Sequence, residues 1–207
     1  MDDTAEDTAE FWGLTNAILA EIDAAFAGAS REGGMSWSQS KVADNYGDEK
    51  EYATAGAMDR DRDWHEVAAD SDWRLESGIG GFSFLDPIGY RYYLPAAMTV
   101  AARTGQDERL VYALTLSDRS DLREYGLQQW SLLNHRQRLC VRHFIEHMVQ
   151  LYRLANRPFW NEEIYADEWE LALNSYWHSI PDEDPSPPEK PMAKHRNRKK
   201  RSTTNRF

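Results

Sequence analysis

Phe82-Ser83-Phe84-Leu85-Asp86-Pro87-Ile88-Gly89-Tyr90-Arg91-Tyr92-Tyr93-Leu94-Pro95-Ala96 is the stretch on which the fold reading turns. Phe82–Leu85 and Tyr90–Leu94 are rich in aromatic and apolar residues of the kind favoured in strands. Between them, Asp86, Pro87 and Gly89 stand at the first, second and fourth positions of a type I turn. The pattern predicts a β-hairpin. Alternation along its second strand puts Tyr90, Tyr92 and Leu94 on a buried side and Arg91 and Tyr93 on the opposite one. Pro95 is expected to stop the strand and to suit the first turn of a short helix over 96–103.

Helices are expected on both sides of the hairpin. Phe11, Leu14, Ile18, Ile22 and Phe26 recur at three- and four-residue spacing, an apolar stripe on an acidic helix that Gly28 would end. A second helix is expected over 118–130, with Leu122, Tyr125 and Trp130 inward. The third, from about Asn134 to Ala155, is apolar on two sides: Val141, Phe144, Ile145, Met148 and Tyr152 share one face, and Leu139, Cys140, Leu151 and Leu154 another. Two apolar faces predict the central helix of the fold. The fourth is expected to open with Asn161 as N-cap and Glu162-Glu163 in its first turn, suited to the helix dipole. The fold class is therefore mostly α (α+β), with four or five helices around one central helix and a single β-hairpin.

Composition sets the boundaries. The chain has 207 residues and a formal charge of −11. Leu, Ile, Val and Phe together number 37, a low count that favours disorder at high charge. Eight Trp and ten Tyr argue instead for a packed core. A globular domain with disordered flanks satisfies both. Residues 1–7 are expected to be disordered, 8–178 to form one globular domain with a long loop over 31–60, and 179–207 to be a Pro-rich linker and a disordered basic tail. Residues 190–207 carry eight basic side chains and no acid, which leaves the other 189 at −19. No apolar run approaches a membrane span, and the acidic N-terminus matches neither a signal nor a transit peptide, so the expected compartment is the cytoplasm.

The string FLDPIGYRYYLPA, preceded by a Trp-containing segment, resembles the signature of an uncharacterised bacterial domain-of-unknown-function family. In that family the hairpin runs on into a short helix and a C-terminal helix containing a Gln, a place that Gln137 takes here. The resemblance covers about Trp64 to Gln150, leaving the acidic first helix, the long loop and the basic tail outside it. It implies a small bacterial protein, mostly cytoplasmic, and brings no activity and no cofactor.

Few residues suggest chemistry. Cys140 is the only cysteine, so neither an internal disulfide nor a cysteine-based zinc site can form, and its place on an apolar helix face makes it a packing residue. His143-Phe144-Ile145-Glu146-His147 spells H-x-x-E-H, with two histidines spaced to share a zinc ion. Against that reading, few residues remain after His147 to supply a third ligand, and Glu146 stands one turn after Arg142, where an ordinary ion pair forms. Gly78-Ile79-Gly80-Gly81 lacks the Lys-Ser/Thr of a phosphate loop.

Two binding surfaces are expected instead. Arg91 and Tyr93 on the outer hairpin face, beside Trp64 or Trp73, are residue types enriched at partner hot spots. Lys194, Arg196, Arg198, Lys199, Lys200 and Arg201 could contact nucleic-acid phosphates or lie against the acidic domain. The expected function is a non-catalytic, cytoplasmic interaction or accessory protein that uses its acidic body to meet a basic protein partner, with no cofactor. The alternative is a nucleic-acid-associated protein acting through the tail, and a zinc-dependent hydrolase is third.

Overall fold

The computed structural model describes the backbone of residues 3–73, 81–105, 110–154 and 162–184, with side chains over 13–73, 81–105, 110–153 and 166–184. Nine α-helices succeed one another among these residues: α1 (Asp3–Ala25), α2 (Trp37–Asp44), α3 (Glu49–Met58), α4 (Trp64–Ala69), α5 (Pro87–Thr104), α6 (Leu110–Leu114), α7 (Ser120–Gln129), α8 (His135–Leu154) and α9 (Glu162–Ser175). Single 3-10 turns stand at Gly81–Phe84 and Trp177–Ser179. There is no strand among the described residues. No described helix is long and apolar enough to cross a membrane.

The β-hairpin expectation is therefore wrong, and its replacement is the most deeply buried helix of the fold. Asp86 is the N-cap of α5, accepting the Gly89 amide on its side chain at 2.7 Å, and Pro87 takes the first helical position. A type I turn and the first turn of a helix use nearly the same backbone angles, so Asp-Pro-x-Gly starts either one. The residues after Gly89 choose the helix. Tyr90, Tyr93, Leu94, Ala97, Met98 and Ala101 recur at helical spacing and all are buried. Tyr92 and Ala96 bury a second side, so twelve of the eighteen residues of α5 are inside. Pro95 neither stops a strand nor opens a new helix. It lies within α5, where it gives no N–H to the Arg91 carbonyl, and the helix runs on to Gly105, whose left-handed φ of 68° ends it.

The long loop expected over 31–60 is also corrected, since it contains α2 and α3. Both open with capping boxes: Ser36 with Gln39, and Asp48 with Glu51. Each buries only one or two side chains, Trp37 and Ser40 in α2 and Ala55 in α3, which is why the apolar count there is low. The backbone of α1 is helical from Asp3, ahead of the boundary expected at residue 8.

Nine helices stand among the described residues where four or five were expected, and α8, expected as their central helix, packs on α1, α9 and α5. Its Cys140, Val141, Phe144, Ile145 and Met148 are fully buried. Asn134 and Gln137 cap it reciprocally, each side-chain oxygen accepting the other's amide proton, at 2.9 and 3.1 Å. Ile18, Ile22 and Phe26 of the α1 stripe are buried, whereas Leu14 is 39% exposed. Leu122 and Tyr125 of α7, expected inward, face solvent, and only Trp130 enters the core. The core continues past the expected boundary at 178 to Ile180, whose carbonyl accepts from Arg142. Arg142 also pairs with Asp182. Asn161, the expected N-cap of α9, lies outside the described residues, as do residues 185–207.

A candidate cation-binding pocket

The first turn of α2 is built around its N-terminal amides. Ser36 accepts the Gln39 amide, the Tyr93 hydroxyl accepts the Trp37 amide at 3.0 Å, and the Asp59 carboxylate accepts the Ser38 amide at 2.7 Å. Three segments distant in sequence thereby converge: the start of α2, the end of α3 and the second turn of α5. The short helix α4 packs on α5, with Asp63 as its N-cap. Its Trp64 is buried and donates its indole proton to the Phe26 carbonyl at 3.2 Å, tying α4 to the end of α1. The chain leaving α4 brings Trp73 back against Trp37 and Tyr93.

A pocket of about 380 Å³ results. Trp37, Trp73 and Tyr93 form its aromatic walls. Trp73 and Tyr93 are nearly parallel, 15° apart with centroids separated by 6.4 Å. Trp37 stands across both at 56–58°, its centroid 5.1 Å from Trp73 and 5.3 Å from Tyr93. Asp59, Asp61, Glu66 and Asp70 line the same pocket, and the guanidinium of Arg60 is the one opposing charge. Burial, reinforced by the neighbouring Asp61, raises the Tyr93 pKa, so this wall stays a neutral phenol. Aromatic faces and carboxylates both attract a cation, the first through the ring quadrupole and the second through charge.

Asp61 has a second face. Its Oδ2 lies 3.3 Å from Arg31 Nε, and Arg31 Nη2 donates to the Asp59 carbonyl at 3.0 Å. The Arg31 guanidinium stands 5.7 Å from the Tyr92 ring centroid and 5.9 Å from that of Tyr93. Burial and the facing Asp61 carboxylate raise the Tyr92 pKa. On this side a larger cavity of about 500 Å³ opens beside Gly33 and Gly34, with Arg31, Arg62, Asp61 and Tyr92 among its lining groups.

The expected partner-binding residues divide. Trp73 and Tyr93 come together in the pocket. Trp64 is a core residue, and Arg91 is half-buried, with a buried Nε that makes no hydrogen bond. The outward hairpin face that was to carry Arg91 and Tyr93 does not exist, because residues two apart on a helix do not share a face. Trp37, Asp59, Asp61, Glu66 and Asp70 escaped the sequence reading. The alternating string Asp59-Arg60-Asp61-Arg62-Asp63 was the one local signal. Lys194, Arg196, Arg198, Lys199, Lys200 and Arg201 lie outside the described residues.

The H-x-x-E-H residues are engaged elsewhere. His143 Nδ1 is 2.9 Å from Glu21, and Glu146 is 3.6 Å from Arg142. His147 is buried, which lowers its pKa. No group of three His, Cys, Asp or Glu side chains arranged for a metal occurs among the described residues. Cys140 is buried, and burial pushes its thiol pKa up.

The model of a family of unknown function, DUF6714, matches residues 15–181. The chain belongs to DUF6714. The match takes in the pocket whole, from Trp37 to Tyr93, and ends before the basic tail. It also corrects the extent expected from the sequence, since α1 from residue 15 onward and all of α2 and α3 fall inside the DUF6714 region. No curated protein and no solved structure matches this chain.

Proposed function

We propose that this DUF6714 chain is a non-catalytic, cytoplasmic accessory protein that binds a basic partner protein through its acidic body. The observation that supports this reading best is the pocket between α2, α4 and α5, where four carboxylates surround three aromatic walls. The carboxylates attract a cation by charge. The −19 balance of residues 1–189 adds a long-range field of the same sign.

Titration of the full chain with a basic and an acidic peptide of equal length tests the reading. Binding of the basic peptide alone is expected, weakening as salt rises and weakening again in Glu66→Gln with Asp70→Asn. Equal binding of both peptides, or of neither, overturns it.

The basic tail supports a second reading, nucleic-acid association, on the strength of eight basic side chains without an acid in 190–207. It requires that nucleic-acid affinity depend on that segment.

A further inference from the structure

We infer that Tyr46, at the tip of the α2–α3 hairpin, is a docking side chain whose open ring receives a basic side chain of the partner. The inference rests on the basic-partner reading above and gives it a second contact point. That point lies at the end of α2 away from the pocket, about 12 Å along the helix axis. Tyr46 is 97% exposed. Trp37, Trp73 and Tyr93 pack against one another, whereas a ring this exposed has both faces open to solvent. Residues 45–51 around it are all exposed, so nothing of the fold covers the tip.

The backbone under this ring is strained. Tyr46 is the one non-glycine among the described residues with a positive φ, at 55°, where an L side chain crowds the neighbouring carbonyl. The way α2 ends imposes that angle. Gly47 N–H donates to the Val42 carbonyl at 2.9 Å and Tyr46 N–H to the Ala43 carbonyl at 3.2 Å, a pair of bonds in which glycine ordinarily holds the place of Tyr46. Gly47 is needed where it stands, because a Cβ there would lie 2.4 Å from Val42 Cγ1 and 2.8 Å from Glu51 Oε2. The ring buries almost none of its surface, so the fold gains nothing from it that offsets the strain. A strained residue of no use to the fold points to a use outside it. The surrounding charge selects the partner. Residues 44–51 hold Asp44, Asp48, Glu49 and Glu51 against Lys50, a balance of −3. Asp48 and Glu51 give one oxygen each to the capping box of α3 and keep their charge. An open aromatic face flanked by carboxylates attracts a cation and disfavours an anion.

The test uses the full chain and two peptides of one length, alternating Gly with Arg or Glu. Calorimetry reads affinity and thermal unfolding reads Tm. Tyr46→Gly is expected to raise Tm by about 1–4 °C, because left-handed strain is relieved. The same variant is expected to weaken the Arg peptide about two- to fivefold, the worth of one exposed cation–ring contact. Tyr46→Phe keeps the ring and is expected to bind as the native chain does. The ring resonances that Tyr46→Gly removes from the NMR spectrum are expected to shift with the Arg peptide and not with the Glu peptide. Equal affinity of the native chain and Tyr46→Gly for the Arg peptide overturns the assignment. So does a Tyr46→Gly that unfolds at lower temperature, since the strain is then absent. Weakening by Glu66→Gln with Asp70→Asn but not by Tyr46→Gly places the contact at the pocket, which overturns the inference and leaves the basic-partner reading standing. Failure of the Arg peptide to bind the native chain overturns the two together.

Discussion

Asp86 accepts the Met35 amide proton at 3.1 Å with the same Oδ1 that caps α5 through Gly89. One oxygen thus starts the most buried helix and fastens to it the segment leading into α2. Asp86→Ala is expected to cost about 2–3 kcal/mol, a lost cap plus a lost hydrogen bond to a charged group. Asp86→Asn should cost less than half as much, because its oxygen still accepts. Gly89→Ala should also destabilise, although Ala is the better helix former by about 1 kcal/mol. A Cβ there would stand 2.5 Å from the Met35 carbonyl oxygen, which is backbone. Urea unfolding of the three variants checks the order, and a stabilised Gly89→Ala would refute the close approach.

Tyr92 and Arg91 are neighbours with opposite stakes. Tyr92 is 1% exposed, so Tyr92→Ala should cost about 3–5 kcal/mol, as removal of a large core aromatic does. Tyr92→Phe keeps the ring and should cost about 1 kcal/mol or less. Arg91 has a buried Nε without a hydrogen bond, so Arg91→Met should change stability by no more than about 1 kcal/mol. Chemical denaturation that reverses this order would show the faces of α5 to be misassigned.

Two histidines should shape the pH dependence of stability in separate windows. His65 sits between Asp63 of its own helix start and Asp23 of α1. Burial alone would lower its pKa, but hydrogen bonds to Asp23 and Asp63 raise it. The stability this proton brings is complete below the ordinary value of about 6.5 and is lost as pH rises through the folded value. The side chain is half exposed, so the effect is small and salt-sensitive. His147 acts in the other direction. Burial lowers its pKa, so its contribution is present above about 6.5 and is lost as pH falls through the folded value. Denaturation midpoints from pH 5 to 9 should show both limbs. His65→Gln should flatten the alkaline limb and His147→Leu the acid one; a limb unchanged by its variant removes that histidine from the account.

Deletion of residues 190–207 tests the second functional reading. The segment has Met192 and Phe207 as its only large apolar residues, so its loss should shift unfolding free energy by no more than about 1 kcal/mol. Nucleic-acid affinity, where the intact chain has it, should vanish with the deletion and fall steeply with salt. Affinity that survives the deletion ends the tail hypothesis.

The amino-acid sequence by itself determined what local period and end chemistry can determine. The apolar repeat of Val141, Phe144, Ile145 and Met148 specifies α8, and all four are buried as that repeat requires. The abundance of Trp and Tyr announced an aromatic core, and Trp130, Trp169, Trp177, Tyr90, Tyr92 and Tyr93 fill it. Asp86-Pro87 marked a chain reversal or a helix start without distinguishing them, because both use the same backbone angles. Only tertiary structure chose, by burying α5 on several sides, something a five-residue aromatic run shows at neither period. The pocket was decided in the same way. Trp37 comes directly after the capping Ser36, Asp59 ends a helix, and Tyr93 reads as one more core aromatic. No local rule brings these three to Trp73. They meet because the buried α5 carries the Tyr93 hydroxyl to the first amide of α2, and α4 packs on the same helix.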